Sequence, residues 1–167
     1  GFVVVKVTQL GTGGGLWQFG TSGNEHYPWT NGSIYEQFGS TGVRQVAQPA
    51  VPLTEAHVYS VSSKAGEWVL RQNGREFYRD KANTVSWHTA PYLGSGGSND
   101  LTGDIAEVLV YDKVLSDAER DAVNHYLVSK YALAAVPEVP VELAAMALGS
   151  KQVSLTWKGG SGKATQY

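Results

Sequence analysis

The stretch Gly103–Leu133 holds six carboxylates, and four of them, Asp104, Glu107, Asp117 and Glu119, could suggest a catalytic centre. Paired carboxylates are the groups with which glycosidases perform acid–base catalysis. A retaining pair needs its two carboxyl groups about 5 Å apart in one cleft. Asp104 and Glu107 are three residues apart in a predicted strand, and an odd spacing directs their side chains to opposite faces. We therefore predict no catalytic residue here. We expect Glu107 to be partly buried and hydrogen-bonded to backbone near the following helix, because an unpaired buried charge is costly.

The other two acids, Asp117 and Glu119, fit the beginning of a helix. Ser116 and Glu119 form the S-x-x-E pattern of a capping box, in which both side chains bond to backbone N–H groups. The helix dipole favours negative charge in this first turn. We expect an apolar stripe at helical spacing: Ala118, Ala122, Val123, Tyr126, Leu127 and Tyr131. The acidic stretch is thus predicted to be a strand, a turn and a helix that closes one end of the fold.

The remaining acids and the histidines show no spacing typical of a catalytic or metal site. No two of the four histidines stand two apart in a strand or four apart in a helix, so no metal pair is encoded locally. The chain has no cysteine, which excludes a thiolate ligand or nucleophile. The other acids are expected to be solvated surface charges: Glu25, Glu36, Glu55, Glu67, Glu76, Asp80, Asp100, Asp112 and Asp121.

Aromatic residues in a polar loop are the strongest sign of ligand binding. The loop EHYPWTNGSIYEQF carries Tyr27, Trp29, Asn31 and Tyr35, and Trp87 is a second candidate further along the chain. Sugar rings stack on Trp and Tyr while amides and carboxylates bond to their hydroxyl groups, so these five residues are the predicted ligand-binding set. The alternative is that Tyr27 and Trp29 belong to the core, because a β-fold also needs large inward side chains.

A calcium ion is a further prediction. The turn GSNDLTGD places Asn99, Asp100 and Asp104 beside flexible backbone carbonyl groups. Hard cations prefer such oxygen ligands, so these three residues are the predicted metal ligands and Ca²⁺ the predicted cofactor. The alternative is a polar turn before the last strand of the domain.

The elements that must position these residues are short β-strands. Alternating runs flank Asn73–Gly74, the dipeptide that suits a type I′ turn because both residues need positive φ. Pairing across this turn places Gln72 opposite Arg75 and Leu70 opposite Phe77. Similar runs recur along the first 112 residues, with one helix at their end. The pattern predicts an all-β fold, an antiparallel sandwich of two sheets with one short C-terminal helix.

Composition limits the partners. The chain of 167 residues has a net charge of −2 and scattered basic residues, so no basic stripe points to nucleic acid. No apolar run is long enough to span a membrane. We also see no signal peptide in the sequence.

The segment Gly103–Leu133 resembles the end of bacterial laminin G-like domains of the concanavalin A-like lectin/glucanase superfamily. These domains close with a strand G-x-I-x-E-φ-x-φ-Y (φ, hydrophobic), then φ-S-x-x-E-R and a helix ending Y-L-x-x-K-Y, which match residues 103–111, 115–120 and 126–131. The hairpin at Trp68–Gly74 and the YLG at Tyr92–Gly94 match in order. The resemblance implies a jelly roll over residues 1–133 whose first strand lies outside this sequence.

The remainder resembles the first strands of a fibronectin type III domain, through its opening prolines, the VSLTW strand with Trp157, and ATQY. We predict a linker at residues 134–138 and an incomplete fibronectin type III-like segment at 139–167. We also expect Pro137–Tyr167 not to be stable by itself, because three strands at most cannot build a sandwich core.

The resemblance implies a non-catalytic carbohydrate-binding module, lectin-like, of a secreted or cell-surface multidomain protein, with a polysaccharide or glycan as partner. One alternative is a structural or adhesive module of a cell-surface or phage-tail-like protein, which binds another surface protein. A glycoside hydrolase is the less favoured third. Exposed aromatic residues around a groove indicate the first, buried aromatic residues with contacts at sheet edges the second, and two carboxyl groups across a cleft the third.

Overall fold

The computed structural model describes residues 1–46, 48–49, 51–133, 141–149 and 152–158. The chain divides into two units, Gly1–Leu133 and Ala134–Tyr167. As predicted, the described part is mostly antiparallel β-structure with one helix. In chain order the first unit contains β1 (Phe2–Val7), β2 (Trp17–Gln18), β3 (Ile34–Glu36), β4 (Arg44–Val46), β5 (His57–Lys64), β6 (Glu67–Gln72), β7 (Arg75–Asp80), β8 (Tyr92–Leu93), β9 (Gly103–Leu109) and α1 (Asp117–Lys130).

Five strands form the main sheet, in the order β7-β6-β5-β1-β9, with every neighbouring pair antiparallel. The run FVVVKV of β1 alternates between two cores. Val3, Val5 and Val7 lie on one face, which we call the inner face, and Phe2 and Val4 lie on the outer face. Both faces of this strand are therefore covered, which explains its nearly continuous apolar sequence.

The inner face carries the larger core. Two short strand pairs, β2 with β8 and β3 with β4, contribute to this core. Their core residues are Trp17, Ile34 and Val46. Burial of large apolar side chains is the dominant favourable contribution to folding, roughly 1.5–3 kcal/mol for each one. The core residues with the largest side chains are Leu16, Trp17, Tyr27, Ile34, Phe38, Tyr59, Trp68 and Leu70.

The outer face is covered by α1, which begins at the predicted cap. The Ser116 side chain accepts a hydrogen bond from the Glu119 N–H, and the Glu119 carboxylate accepts from the Ser116 N–H at 2.8 Å. Bonds from Lys113 and Ser116 lower the pKa of Glu119 to about 2. The capping box of the sequence prediction is confirmed.

The predicted apolar stripe of α1 is only partly correct. Leu127 is buried against Phe2, Val4 and Val58, and Val123 and Tyr131 pack beside it. Tyr126 is 45% exposed, and both Ala118 and Ala122 are also exposed. The helix therefore rests on the outer face along the i, i+4 row 123–127–131, and does not close an end of the fold as we expected.

A bulge in β9 corrects the predicted geometry of Asp104 and Glu107. Val4 pairs with Glu107 and Val5 with Ile105, so Ala106 is an extra residue in the strand. Because of this extra residue, side chains three positions apart in β9 lie on the same face. Asp104 and Glu107 are both on the outer face, opposite Lys6 and Val4. Glu107 is partly buried as expected, but it bonds to side chains of α1 and not to backbone: Lys130 Nζ donates to it at 3.0 Å and the Tyr126 hydroxyl at 3.2 Å.

The hairpin of β6 and β7 turns at Asn73 and Gly74, whose φ angles are 48° and 79°, as the sequence predicts. Gln72 pairs with Arg75 as expected. Leu70, however, pairs with Tyr78 and not with Phe77, because the register shifts between Leu70 and Arg71 and Phe77 is an extra residue in β7.

The described part of the second unit is a pair of antiparallel strands, β10 (Val141–Gly149) and β11 (Gln152–Lys158). The VSLTW run lies in β11. The predicted linker at 134–138 and the ATQY run lie outside the described residues. Among the described residues, no helix is long and apolar enough to cross a membrane.

Candidate functional site

A groove with a volume of about 410 Å³ opens on the outer face. Its volume lies within the range of about 300–1,000 Å³ that small-molecule sites occupy. Its floor comes from β5 and β6, where Ser60, Ser62 and Arg71 lie on the outer face. Beside the start of β1 the groove also reaches the inner side, where Phe38, Val61 and Ser63 line it. The groove is therefore built on the rigid main sheet, with loops and the start of α1 as its walls.

Two aromatic rings stand in the walls of this groove. Trp87 is 47% exposed and Tyr111 is 38% exposed. Each is held edge-on by a buried ring: Trp87 by Phe38 at 5.2 Å and Tyr111 by Phe2 at 6.0 Å between centroids. Rings that are fixed on one side and open on the other provide stacking surfaces for a ligand.

Gly39 makes room for the Trp87 ring. A methyl group on this residue would lie 2.5 Å from Cη2 of Trp87, and the φ angle of Gly39 is +58°. Both the space and the backbone conformation therefore favour glycine here.

Charged groups surround the polar floor of the groove. Lys64 pairs with Glu67 at 3.0 Å and Lys113 pairs with Glu119 at 2.7 Å. Asp112 is the only acid among the described residues that line the groove. A glycosidase pair needs two carboxyl groups across one cleft, and the described lining provides one.

The predicted binding loop lies elsewhere. None of the described lining residues of the groove belongs to residues 25–35. Trp29 packs against His26 with 4.2 Å between ring centroids, and Tyr35 meets His26 edge-on at 5.6 Å. Both rings are half-buried, whereas Asn31 is exposed, and its carboxamide accepts a hydrogen bond from Ser33 N–H at 2.9 Å. Whether Trp29, Asn31 and Tyr35 bind a ligand stays a prediction.

Tyr27 is a core residue, which corrects its place in the predicted binding set. The side chain is 1% exposed, its ring packs on Tyr59, and its hydroxyl bonds to Nε2 of His57 at 2.5 Å. A ring so deeply buried offers no face to a ligand. The alternative interpretation of the sequence, that Tyr27 belongs to the core, is therefore correct.

Two of the predicted surface acids are buried in the inner core. The Glu36 carboxylate accepts hydrogen bonds from Trp17 Nε1 (3.0 Å), the Tyr59 hydroxyl (2.7 Å) and the N–H groups of Gln37 and Phe38. Burial raises the pKa of Glu36, while these donors act in the opposite direction.

Glu25 differs from Glu36 in its surroundings. Its Oε1 accepts from the Trp17 N–H at 3.3 Å, and Oε2 has no partner among the described residues. Burial and then repulsion by Glu36 raise the pKa of Glu25 well above its usual range. The carboxyl group of Glu36 is therefore satisfied by hydrogen bonds, whereas that of Glu25 is only partly satisfied. Neither acid lines the groove.

Each of the three predicted calcium ligands has its own contacts in the structure. The Asn99 carboxamide donates to the Gly13 carbonyl at 3.3 Å, and the Asn99 carbonyl accepts from the N–H groups of Gly15 and Gly96. Asp100 forms β-bridges with Gly15 and Ser95, and Asp104 pairs with Lys6 in the main sheet. The described residues contain no group of three or more acids or histidines placed to hold a metal. Calcium binding stays a prediction.

Of the five predicted ligand-binding residues, only Trp87 lies in the groove. The sequence prediction missed Tyr111, Arg71 and Arg120. Strand alternation indicates that Arg71 faces away from Leu70, which is a usable signal. It does not show that a helix and two loops enclose that side.

Comparison of the chain with protein-family models, with curated proteins and with solved structures finds no match. The function is therefore inferred from the groove and its residues.

Proposed function

We propose that the chain is a non-catalytic carbohydrate-binding module that holds a saccharide in the groove of the outer face. The observation that supports this most is the pair of exposed rings, Trp87 and Tyr111, on the walls of one groove. The C–H faces of a sugar stack on such rings, and the Ser60 and Ser62 hydroxyl groups on the floor match its hydroxyl groups.

We further propose that the first unit is a jelly roll of the laminin G-like type and that the second unit begins a fibronectin type III-like domain. The antiparallel strands, the capping box of α1 and the Asn73–Gly74 hairpin support the first. The pair β10 and β11 supports the second. From the resemblance of the sequence to such domains, we also propose that the module belongs to a secreted or cell-surface multidomain protein.

The test is binding of the full chain to a panel of soluble polysaccharides by affinity electrophoresis. Trp87→Ala should weaken binding about tenfold or more, since stacking rings act as binding hot spots. Because Trp87 is half-exposed, the variant should melt within a few degrees of the unchanged protein. Trp29→Ala is the matched control and should bind normally.

The outcomes separate the two aromatic regions. Loss of binding in Trp29→Ala but not in Trp87→Ala would move the site to the loop at residues 25–35. Adding a chelator to the same gels tests whether binding requires calcium. A loss of binding would support Asn99, Asp100 and Asp104 as calcium ligands. A folded chain that binds no polysaccharide would contradict the proposal.

An adhesive module that binds another surface protein is the second candidate. It is favoured by one observation: β9 is an edge strand of the main sheet, and the exposed residues Val110, Tyr111 and Val114 follow it. The bulge at Ala106 and the charge of Asp104 weigh against strand addition along that edge, because both interrupt regular pairing.

A further inference from the structure

Two arginines of the main unit are buried equally but bonded very differently. Arg44 is 7% exposed and Arg71 is 8% exposed. Arg44 donates to Asp80 (2.8 Å), to Ser40 and Gly42 (2.8 and 2.9 Å) and to Asn83 (3.0 Å), and it lies over the Trp68 ring. Its guanidinium is satisfied by the fold, as a buried charge must be.

Arg71 lacks such partners among the described residues. Its Nη1 reaches Ser62 Oγ at 3.4 Å, and its Nη2 forms an ion pair with Glu76 Oε2 at 3.6 Å, which is longer than a hydrogen bond. A guanidinium carries five N–H donors, so most of this fork has no acceptor here. Arg71 lies on the floor of the groove, where a bound ligand would reach those donors.

A second guanidinium faces the same space. Arg120 also lines the groove. Its Nη1 donates to the Leu115 carbonyl and its Nη2 to the Asp117 carboxylate. Burial and then the charge of Arg120 lower the pKa of Arg71, while the charges of Glu76 and Asp117 raise it. These two acids offset part of the repulsion between the arginines, and an anion bound between the two cations relieves more of it.

We propose that this end of the groove is an anion subsite, in which Arg71 assisted by Arg120 binds the carboxylate of an acidic sugar, a uronate. The inference rests on the carbohydrate-binding function proposed above and names its ligand class. A guanidinium fork matches the two oxygens of a planar carboxylate, which makes the pairing directional. In a uronate the carboxylate is attached to the sugar ring, so one ligand can bond to Arg71 and also stack on Trp87 or Tyr111.

The experiment compares two polymers with the same backbone. Polygalacturonate carries free carboxylates, and its fully methyl-esterified form carries none. The full chain should bind polygalacturonate about tenfold or more tightly than the ester, because hydrogen bonds to charged groups are the strong ones. The preference should persist at 0.15 M salt, where unspecific surface attraction is screened.

Variants test whether the guanidinium of Arg71 causes the preference for the free carboxylate. Arg71→Gln should remove it, and Arg71→Lys should retain only a small part, since a lysine keeps the charge but not the planar geometry. Arg75→Gln makes the same charge change at an exposed position outside the groove and should have no effect. If Arg71→Gln unfolds in a thermal melt, Arg120→Gln takes its place and should reduce the preference.

Equal affinity for the two polymers, or an unchanged preference in both arginine variants, would overturn the anion subsite. The carbohydrate-binding function would still stand if Trp87→Ala lost binding to either polymer. A folded chain that binds neither these polymers nor any neutral polysaccharide would overturn both proposals together.

Discussion

The two faces of the main sheet differ in how they accommodate charged and polar groups. From the same strand, β5, Tyr59 enters the inner core while Ser60 and Ser62 line the groove on the outer face. The inner face encloses two acids completely, with Glu25 and Glu36 at 1% and 0% exposure. On the outer face, Lys64, Arg71, Lys113 and Arg120 line an open groove.

This difference shows where a ligand can act on the fold. Donors that converge on Glu36 satisfy its carboxyl group inside the core. On the outer face, Arg71 has few protein partners and an open side. Buried polar groups that the fold satisfies stabilise it, whereas those left open are candidates for binding.

The largest expected effect is at Glu36. Glu36→Leu removes the acceptor of four buried donors, those of Trp17, Tyr59, Gln37 and Phe38. Each buried group left without a partner costs about 1–3 kcal/mol, so we expect the free energy of unfolding to fall by about 4 kcal/mol or more. Urea denaturation measures this. Glu55→Leu, at an exposed position, is the control, and a similar small effect at both positions would mean that the network does not stabilise the core.

On the outer face the largest effect should come from Leu127, which is 1% exposed between α1 and the sheet. Leu127→Ala should lower the free energy of unfolding by about 2–5 kcal/mol through the cavity it leaves. The same denaturation experiment checks this, with Ala122 of the exposed helix side replaced by Ser for comparison. A cost below about 1 kcal/mol would mean that the helix is not packed on the sheet.

The smallest effect sharpens the contrast between the two acids. The pKa of Glu25 is raised above its ordinary value of 4.5, so the folded protein keeps a proton that the unfolded chain releases. Its contribution is most favourable below pH 4.5 and falls as the pH rises toward the folded pKa, by up to about 1.4 kcal/mol per pH unit. Glu25→Gln should therefore lose less stability between pH 5 and pH 8 than the unchanged protein.

Urea unfolding of both proteins at the two pH values measures that difference, and Glu55→Gln, which alters an exposed acid, should leave it unchanged. An identical pH dependence in Glu25→Gln would show that Glu25 titrates normally in the folded state.

Local features of the fold were predictable because they depend on neighbouring residues. The cap at Ser116 and the turn at Asn73–Gly74 follow from hydrogen bonds and φ angles within a few residues. The bulges at Ala106 and Phe77 were not predictable, since they depend on how a partner strand pairs. One such bulge was enough to move Glu107 to the face of Asp104.

The candidate site was predictable only in part for the same reason. Trp87 was identified as a binding candidate from its type, but its partner ring Tyr111 lies beyond β9 in the sequence and meets it only across the groove. Tyr27 and Trp29 have similar polar neighbours in sequence. The difference in their burial comes from His57 and Tyr59, about 30 residues further along the chain.

The sequence by itself determined the antiparallel β-structure, the single capped helix and the tight hairpin, because strand alternation, capping and turn chemistry are local. Only the tertiary structure decided which acids are buried, which face the helix covers and which arginine stays open toward a groove. Those outcomes depend on which side chains from distant strands meet, and the free energy of a charge depends on the donors and acceptors that surround it.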